Sequence, residues 1–167
     1  MRIALALVLF GSTAGAGPKV CEHKGEPLIS LRRLGERTSP VAYKDMPPPV
    51  ITGGFAIWPT GGFSSFDEDP DTNKVTNERA GCLEDADFKQ VKVALAKATW
   101  KFTTAKIKCM AMSVNHTEWT ANDKLVWDDK MCSGQTADAA TQKAIDLVHA
   151  LTAKLAAAPG VSATPSK

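Results

Sequence analysis

The strongest constraint on the fold is an alternating stretch at residues 106–133, which predicts two β-strands joined by a tight turn. Successive side chains on a strand point to opposite faces of a sheet, and residues 107–119 alternate in this way. Asn122 and Asp123 favour the turn because both residues tolerate positive φ. We therefore predict a hairpin with a two-residue turn and a short returning strand at residues 124–127.

This turn gives the hairpin one apolar face. The residues predicted on that face are Met110, Met112, Val114, Leu125 and Trp127. The same register leaves Cys109 and Cys132 on one side of the hairpin, where they can form a disulfide. A three-residue turn would instead place Trp119 opposite Trp127 and separate the cysteines, because a one-residue slip exchanges the two faces. We favour the two-residue turn.

The N-terminus has the pattern of a secretory signal peptide over residues 1–16. Arg2 precedes an apolar run at residues 3–10, and the small residues Ala14-Gly15-Ala16 follow. We predict a single disulfide-stapled domain over residues 17–158 and a disordered tail over residues 159–167. The expected location is secreted or periplasmic.

Charge and hydropathy argue against two classes of partner. The chain has a formal net charge of +2, which becomes +1 once Arg2 is removed, so nothing indicates nucleic-acid binding. The apolar run at residues 3–10 is shorter than the roughly 20 residues that span a bilayer, and no longer run follows. We expect no membrane span.

All four cysteines lie in the predicted mature chain, and an even number behind a signal peptide indicates two disulfides. Three connectivities are open. We favour Cys109–Cys132 with Cys21–Cys82, because the hairpin holds the first pair close together. No CxxC or paired His spacing suggests zinc.

The order of predicted elements is β-β-β-α-β-β-α. They comprise a strand at 27–34, a hairpin at 53–66, a helix at 84–100, the hairpin described above and a helix at 137–158 that Thr136 caps. Short hairpins followed by amphipathic helices imply an α+β domain, with an antiparallel sheet of about five strands and two helices packed on one face.

An acidic segment carries oxygen ligands at the spacing of an EF-hand calcium loop. The candidate ligands are Asp67, Asp69, Asp71, Asn73 and Glu78. Thr72 stands where that loop needs glycine, and Lys74 where an apolar residue normally pins it. We favour a solvated acidic loop over a calcium site, and we expect no other cofactor.

His116 and Glu118 share one face of the predicted strand and could form an acid–base pair, with Asp128 and Asp129 nearby. No Gly-x-Ser-x-Gly motif is present, and oxidised cysteines cannot act as nucleophiles. We favour a solvated strand end over a catalytic site.

The four tryptophans suggest contact anchors as well as core residues. Trp58 ends a hairpin arm beside Pro59, and Trp119 lies on the more polar face of its strand, so we expect both to be more exposed than Trp127. Exposed aromatic side chains on a rigid sheet are good anchors for protein partners.

Three segments carry a resemblance to a known family: Leu31-Arg32-Arg33, the hairpin at 55–66 with its Gly61-Gly62 turn, and Gly81-Cys82-Leu83 before a helix. In this arrangement the chain resembles the emfourin-type domains, which are bacterial inhibitors of thermolysin-like metalloproteases. The resemblance covers most of residues 28–155 as architecture, whereas the cysteines and the Pro-rich loop depart from it. It implies a protein-binding role and transfers no inhibitory residue.

The leading hypothesis is a secreted or periplasmic, non-catalytic domain that binds an unknown protein, with protease inhibition as one form of that function. The first alternative is a small extracytoplasmic hydrolase that uses His116 and Glu118. The second alternative is a structural module stabilised by calcium.

Overall fold

A computed structural model describes residues 21–36, 48–106, 115–130 and 133–157. The predicted signal peptide, the predicted tail and the predicted Cys109–Cys132 bridge lie outside these ranges. The described elements are β1 (Ile29–Gly35), β2 (Val50–Ile57), β3 (Gly62–Glu68), β4 (Val75–Cys82), α1 (Asp85–Lys97), β5 (Phe102–Thr104), β6 (His116–Ala121), β7 (Lys124–Lys130), β8 (Gln135–Ala137) and α2 (Ala139–Ala157).

Six of the described strands form one antiparallel sheet in the order β4-β3-β2-β1-β6-β7, and β5 and β8 pair separately. The predicted α+β class with an antiparallel sheet is confirmed. The predicted number of strands was too low, because β4, β5 and β8 were not foreseen. No residue of β4 is buried and its first four are exposed, so its sequence lacks the alternation that marks a half-buried strand.

The core lies between the central strands and the two helices. Leu31 of β1 stands opposite Phe55 of β2 on one side and opposite Trp119 of β6 on the other. These side chains are buried together with Val91 of α1 and Val148 of α2. The described helices therefore cover one face of the sheet, as predicted.

Both predicted helices are present, with different ends. The first predicted helix, 84–100, is shorter in the structure and ends at Lys97. The second is capped by Asp138 and not by Thr136, since the Asp138 carboxylate accepts hydrogen bonds from the backbone amides of Ala140 and Thr141. Hydrogen bonds from the Thr99 and Thr141 hydroxyls hold the pKa of Asp138 well below its usual value.

The hairpin of β6 and β7 combines the register predicted for a two-residue turn with the register predicted for a three-residue turn. The two-residue turn is present, with φ of 47° at Asn122 and 61° at Asp123. Two residues later the register shifts, so that Thr120 pairs with Leu125 whereas Trp119 pairs with Trp127. Val126 is the extra residue of this bulge.

The bulge corrects the predicted faces of the hairpin. Trp119 was expected on the more polar face, but it points into the core and is fully buried. Leu125 was expected on the apolar face, but it is 61% exposed. Trp127 is partly buried, and its ring stacks on Phe102 at 5.1 Å between ring centroids.

A short N-terminal segment is fastened to the sheet by a disulfide between Cys21 and Cys82, which is one of the two predicted bridges. Their Cα atoms lie 5.4 Å apart. The Trp58 side chain is half-buried against this segment, because its Nε1 atom donates a hydrogen bond of 3.2 Å to the Gly25 carbonyl and its ring lies 4.6 Å from that of His23. The expected exposure of Trp58 is therefore wrong in part.

Candidate functional site

The predicted acid–base pair lies on the face of the sheet that the described helices do not cover. His116 and Glu118 flank the positions of β6 that point inward, and they share the outward face. Glu118 accepts a hydrogen bond of 2.7 Å from Arg32. The Nε2 atom of His116 lies 3.7 Å from Oδ1 of Asp128. The two predicted residues thus share a face, but each pairs with a different neighbour.

The surroundings of His116 do not have the geometry of a catalytic triad. A separation of 3.7 Å is too long for the hydrogen bond by which an aspartate orients a catalytic imidazole. Lys130 holds the other carboxylate oxygen of Asp128 at 2.8 Å. The hydroxyl-bearing residues that line the cavity beside His116, within the described part of the chain, are Thr52 and Thr117, and neither Ser nor Cys joins them.

Two of the five candidate calcium ligands already accept hydrogen bonds from nearby donors. Asp67 lies in β3 and pairs with Arg33. Oδ1 of Asp69 accepts hydrogen bonds from the backbone amides of Asp71, at 3.0 Å, and Thr72, at 2.8 Å. Hydrogen bonds from Thr72 lower the pKa of Asp69, and those from Asn77 and Arg33 lower that of Asp67. A calcium ion would have to compete with these donors.

The other three candidates lie along the turn and the edge strand. Asp71 and Asn73 are exposed, and the Asn73 amide closes the turn on the Asp69 carbonyl at 2.9 Å. Glu78 is exposed on β4. Across the described ranges, no group of three or more His, Cys, Asp or Glu side chains is placed to hold a metal ion.

A row of charged side chains crosses the sheet on its helix-covered face, where the apolar core ends. Arg33 of β1 reaches over Gly53 of β2 and bonds the carboxylate of Asp67 in β3 and the carbonyl of Phe66 at 3.2 Å. A Cβ atom on Gly53 would lie 2.0 Å from Nη2 of Arg33. Glycine is therefore required for this side chain to cross the intervening strand.

The row forms the floor of a polar cleft of about 520 Å³ beneath the C-terminal half of α2. Nη1 of Arg79 closes the cleft on one side, with a hydrogen bond of 2.7 Å to the Leu155 carbonyl at the end of α2. His149 closes it from above, where its ring packs edge-on against Trp119 at 5.1 Å. Arg79 thus links β4 to the C-terminal part of α2, whereas Arg33 bonds within the sheet.

The outer surface of the helix pair contains an apolar groove. The helices run antiparallel, since Lys154 near the end of α2 bonds Asp87 in the first turn of α1 at 2.8 Å. We define the helix groove by Lys89, Val93 and Lys97 of α1 with Ala140, Lys143 and Leu147 of α2, which line it. Val93 is 47% exposed, and Leu147 is partly buried.

The sequence contains a signal for this groove that the periodicity did not single out. Lys89, Val93 and Lys97 recur at four-residue steps and therefore share one stripe of α1. This stripe lies beside the one that buries Val91 and Ala94. An apolar residue between two lysines, on a stripe of the helix that faces away from the core, is therefore the sequence signal for this groove.

The chain was compared with known proteins. No family model, no curated protein and no solved structure matches it. Neither of the two described helices is long and apolar enough to cross a membrane. The resemblance to emfourin-type domains therefore stays a prediction.

Proposed function

We propose that the chain is an extracytoplasmic, non-catalytic domain that binds another protein. The observation that carries this proposal is the helix groove, in which Val93 is 47% exposed and lies beside the partly buried Leu147. Grooves between helices commonly receive an apolar side chain of a partner. The Cys21–Cys82 disulfide supports the extracytoplasmic part of the proposal, because such bonds persist in oxidising compartments.

The position of the charged residues favours binding over catalysis. Arg32 engages Glu118, and Lys130 engages Asp128, so these carboxylates already have partners on an open sheet face. A general base needs instead an oriented contact with a nucleophile or with water in a cleft. The resemblance to metalloprotease inhibitors makes a thermolysin-like protease the first partner to test.

The experiment is affinity capture with the mature chain on resin from the secreted or periplasmic fraction of its source. We expect a specific protein to be retained by the native chain and lost with Val93→Glu, because a charge in the groove cannot be matched by an apolar side chain. Leu125→Glu, which changes an apolar residue on β7 that is 61% exposed and lies outside the groove, is the control and should retain the partner. Titration of a thermolysin-like protease with the native chain tests inhibition directly.

A hydrolytic activity of the purified chain that His116→Ala abolishes, while the melting temperature is unchanged, would overturn the proposal in favour of the enzyme. Four free thiols in the natural protein would overturn its extracytoplasmic part, since the disulfide would then not form in its compartment.

A further inference from the structure

The helix groove carries three lysines that form no ion pair with the described residues. Lys89, Lys97 and Lys143 are all exposed, and none of them forms an ion pair within the described ranges. Lys154 at the far end of the same helix pair differs, because Asp87 and Glu84 hold it at 2.8 and 3.5 Å. The charged residues that line the groove are thus all cations.

We infer that the helix groove binds an acidic, amphipathic segment of a partner protein. An apolar side chain of the segment would pack on Val93 and Leu147, and its carboxylates would pair with the three lysines. This inference rests on the proposed function and adds the chemistry of the partner. Such a segment relieves the mutual repulsion of the lysines while it covers the exposed apolar surface, so both features of the groove favour the same occupant.

A second copy of the chain fits this surface less well. In a two-fold dimer the same patch faces itself, which would bring three lysines against three lysines with no carboxylate between them. An anionic membrane would match the charge. However, the apolar residues lie in a concave groove between two helices, whereas a bilayer is bound by protruding apolar side chains. A helical segment that lies along the groove suits this shape.

The test uses a fluorescein-labelled synthetic peptide of about 15 residues, with leucines at positions i, i+3 and i+7 and glutamates elsewhere. Fluorescence anisotropy should show saturable binding to the full mature chain, and high salt should weaken it. A peptide with lysine in place of glutamate should not bind, and one with serine in place of leucine should bind several-fold more weakly.

The lysines are tested by the triple variant K89E/K97E/K143E, which should bind the acidic peptide at least about tenfold more weakly, because three attractions become repulsions. The control K74E/K106E/K124E makes the same change in net charge at exposed lysines outside the groove and should leave the dissociation constant unchanged. Val93→Ser should weaken binding several-fold. Circular dichroism and melting curves establish that each variant is folded.

Binding of the acidic peptide that survives the groove reversal, or no binding of this peptide at all, would overturn the inference. It would also fall if sedimentation detects a dimer that Val93→Glu abolishes, or if the chain binds anionic phospholipid vesicles but not the peptide. A captured natural partner that the triple reversal retains would sink the inference and leave the proposed function standing. If neither the native chain nor any variant captures a partner, both the proposed function and the inference fail.

Discussion

The Asp129 side chain, near the end of β7, shows how burial and neighbouring charges together set the pKa of a carboxyl group. Asp129 stands opposite Thr117 on the helix-covered face. Burial raises the pKa of its carboxyl group, the charge of His149 lowers it, and the neighbouring charge of Asp128 raises it. The net effect is a raised pKa, so the folded protein binds this proton more tightly than the unfolded chain does.

The raised pKa predicts that Asp129 weakens the fold at neutral pH. When a carboxyl group has a higher pKa in the folded state, its ionisation favours the unfolded state at pH values above the folded pKa. Asp129→Asn should therefore raise the melting temperature at about pH 7. The gain should disappear as the pH falls through the folded pKa towards the unfolded value of about 3.9. Thermal melts of both proteins from neutral to acidic pH measure this, and a gain independent of pH would contradict it.

At the scale of the strands, the crossing of β2 by the Arg33 side chain makes a prediction about Gly53. A methyl group there would lie 2.0 Å from Nη2 of Arg33 and 2.7 Å from the Phe66 carbonyl oxygen. Gly53→Ala should cost roughly 1–3 kcal/mol, the range for overpacking. Arg33→Ala alone should cost less than about 1 kcal/mol, because the pair with Asp67 is about half exposed and screened by water.

A double-mutant cycle separates the clash with Arg33 from the clash with the Phe66 carbonyl. The quantity compared is the free energy of unfolding, measured in urea. If the guanidinium is the main obstacle, Gly53→Ala should cost clearly less in the Arg33→Ala background than in the native chain. The same cost in both backgrounds would mean that the methyl group is opposed by the Phe66 carbonyl and not by Arg33.

The elements differ in how far the sequence predicts them. Helix α2 and the turn at Asn122-Asp123 can be predicted from local rules, because side-chain spacing and tolerance of positive φ act within a few residues. The bulge at Val126 carries no glycine or proline to announce it. It arises because β6 must pair with β1 and bury Trp119 there, which is a contact between residues far apart in the chain.

The same difference between local rules and long-range contacts explains which parts of the candidate sites the sequence predicts. That His116 and Glu118 share a face follows from alternation along one strand. The pair of Arg33 with Asp67 needs the register of three strands and a glycine between them, and no local pattern gives that register. The helix groove needs the two helices to lie side by side, and the spacing of residues within either helix does not give that arrangement.

At the scale of the whole molecule, the Cys21–Cys82 disulfide closes a loop that contains four of the six described strands of the large sheet. The two residues are 61 positions apart, and β1, β2, β3 and β4 lie between them. In the chain-entropy view, a loop of this length destabilises the unfolded state by about 4 kcal/mol. The bond also fixes the N-terminal segment on the β2–β3 turn, where Trp58 packs against His23.

Replacing both cysteines separates these two effects. C21S/C82S leaves the other two cysteines unchanged and should lower the free energy of unfolding by about 4 kcal/mol in urea, because the unfolded chain regains its freedom. The segment should also detach in the folded state, which exposes Trp58 and shifts its fluorescence to longer wavelength. Glu26→Ser changes an exposed residue of the same segment, leaves the bond intact and should alter neither property. A large loss of stability with unchanged Trp58 fluorescence would show that the segment holds its place through Gly25 and His23 alone, and that the bond acts only on the unfolded chain.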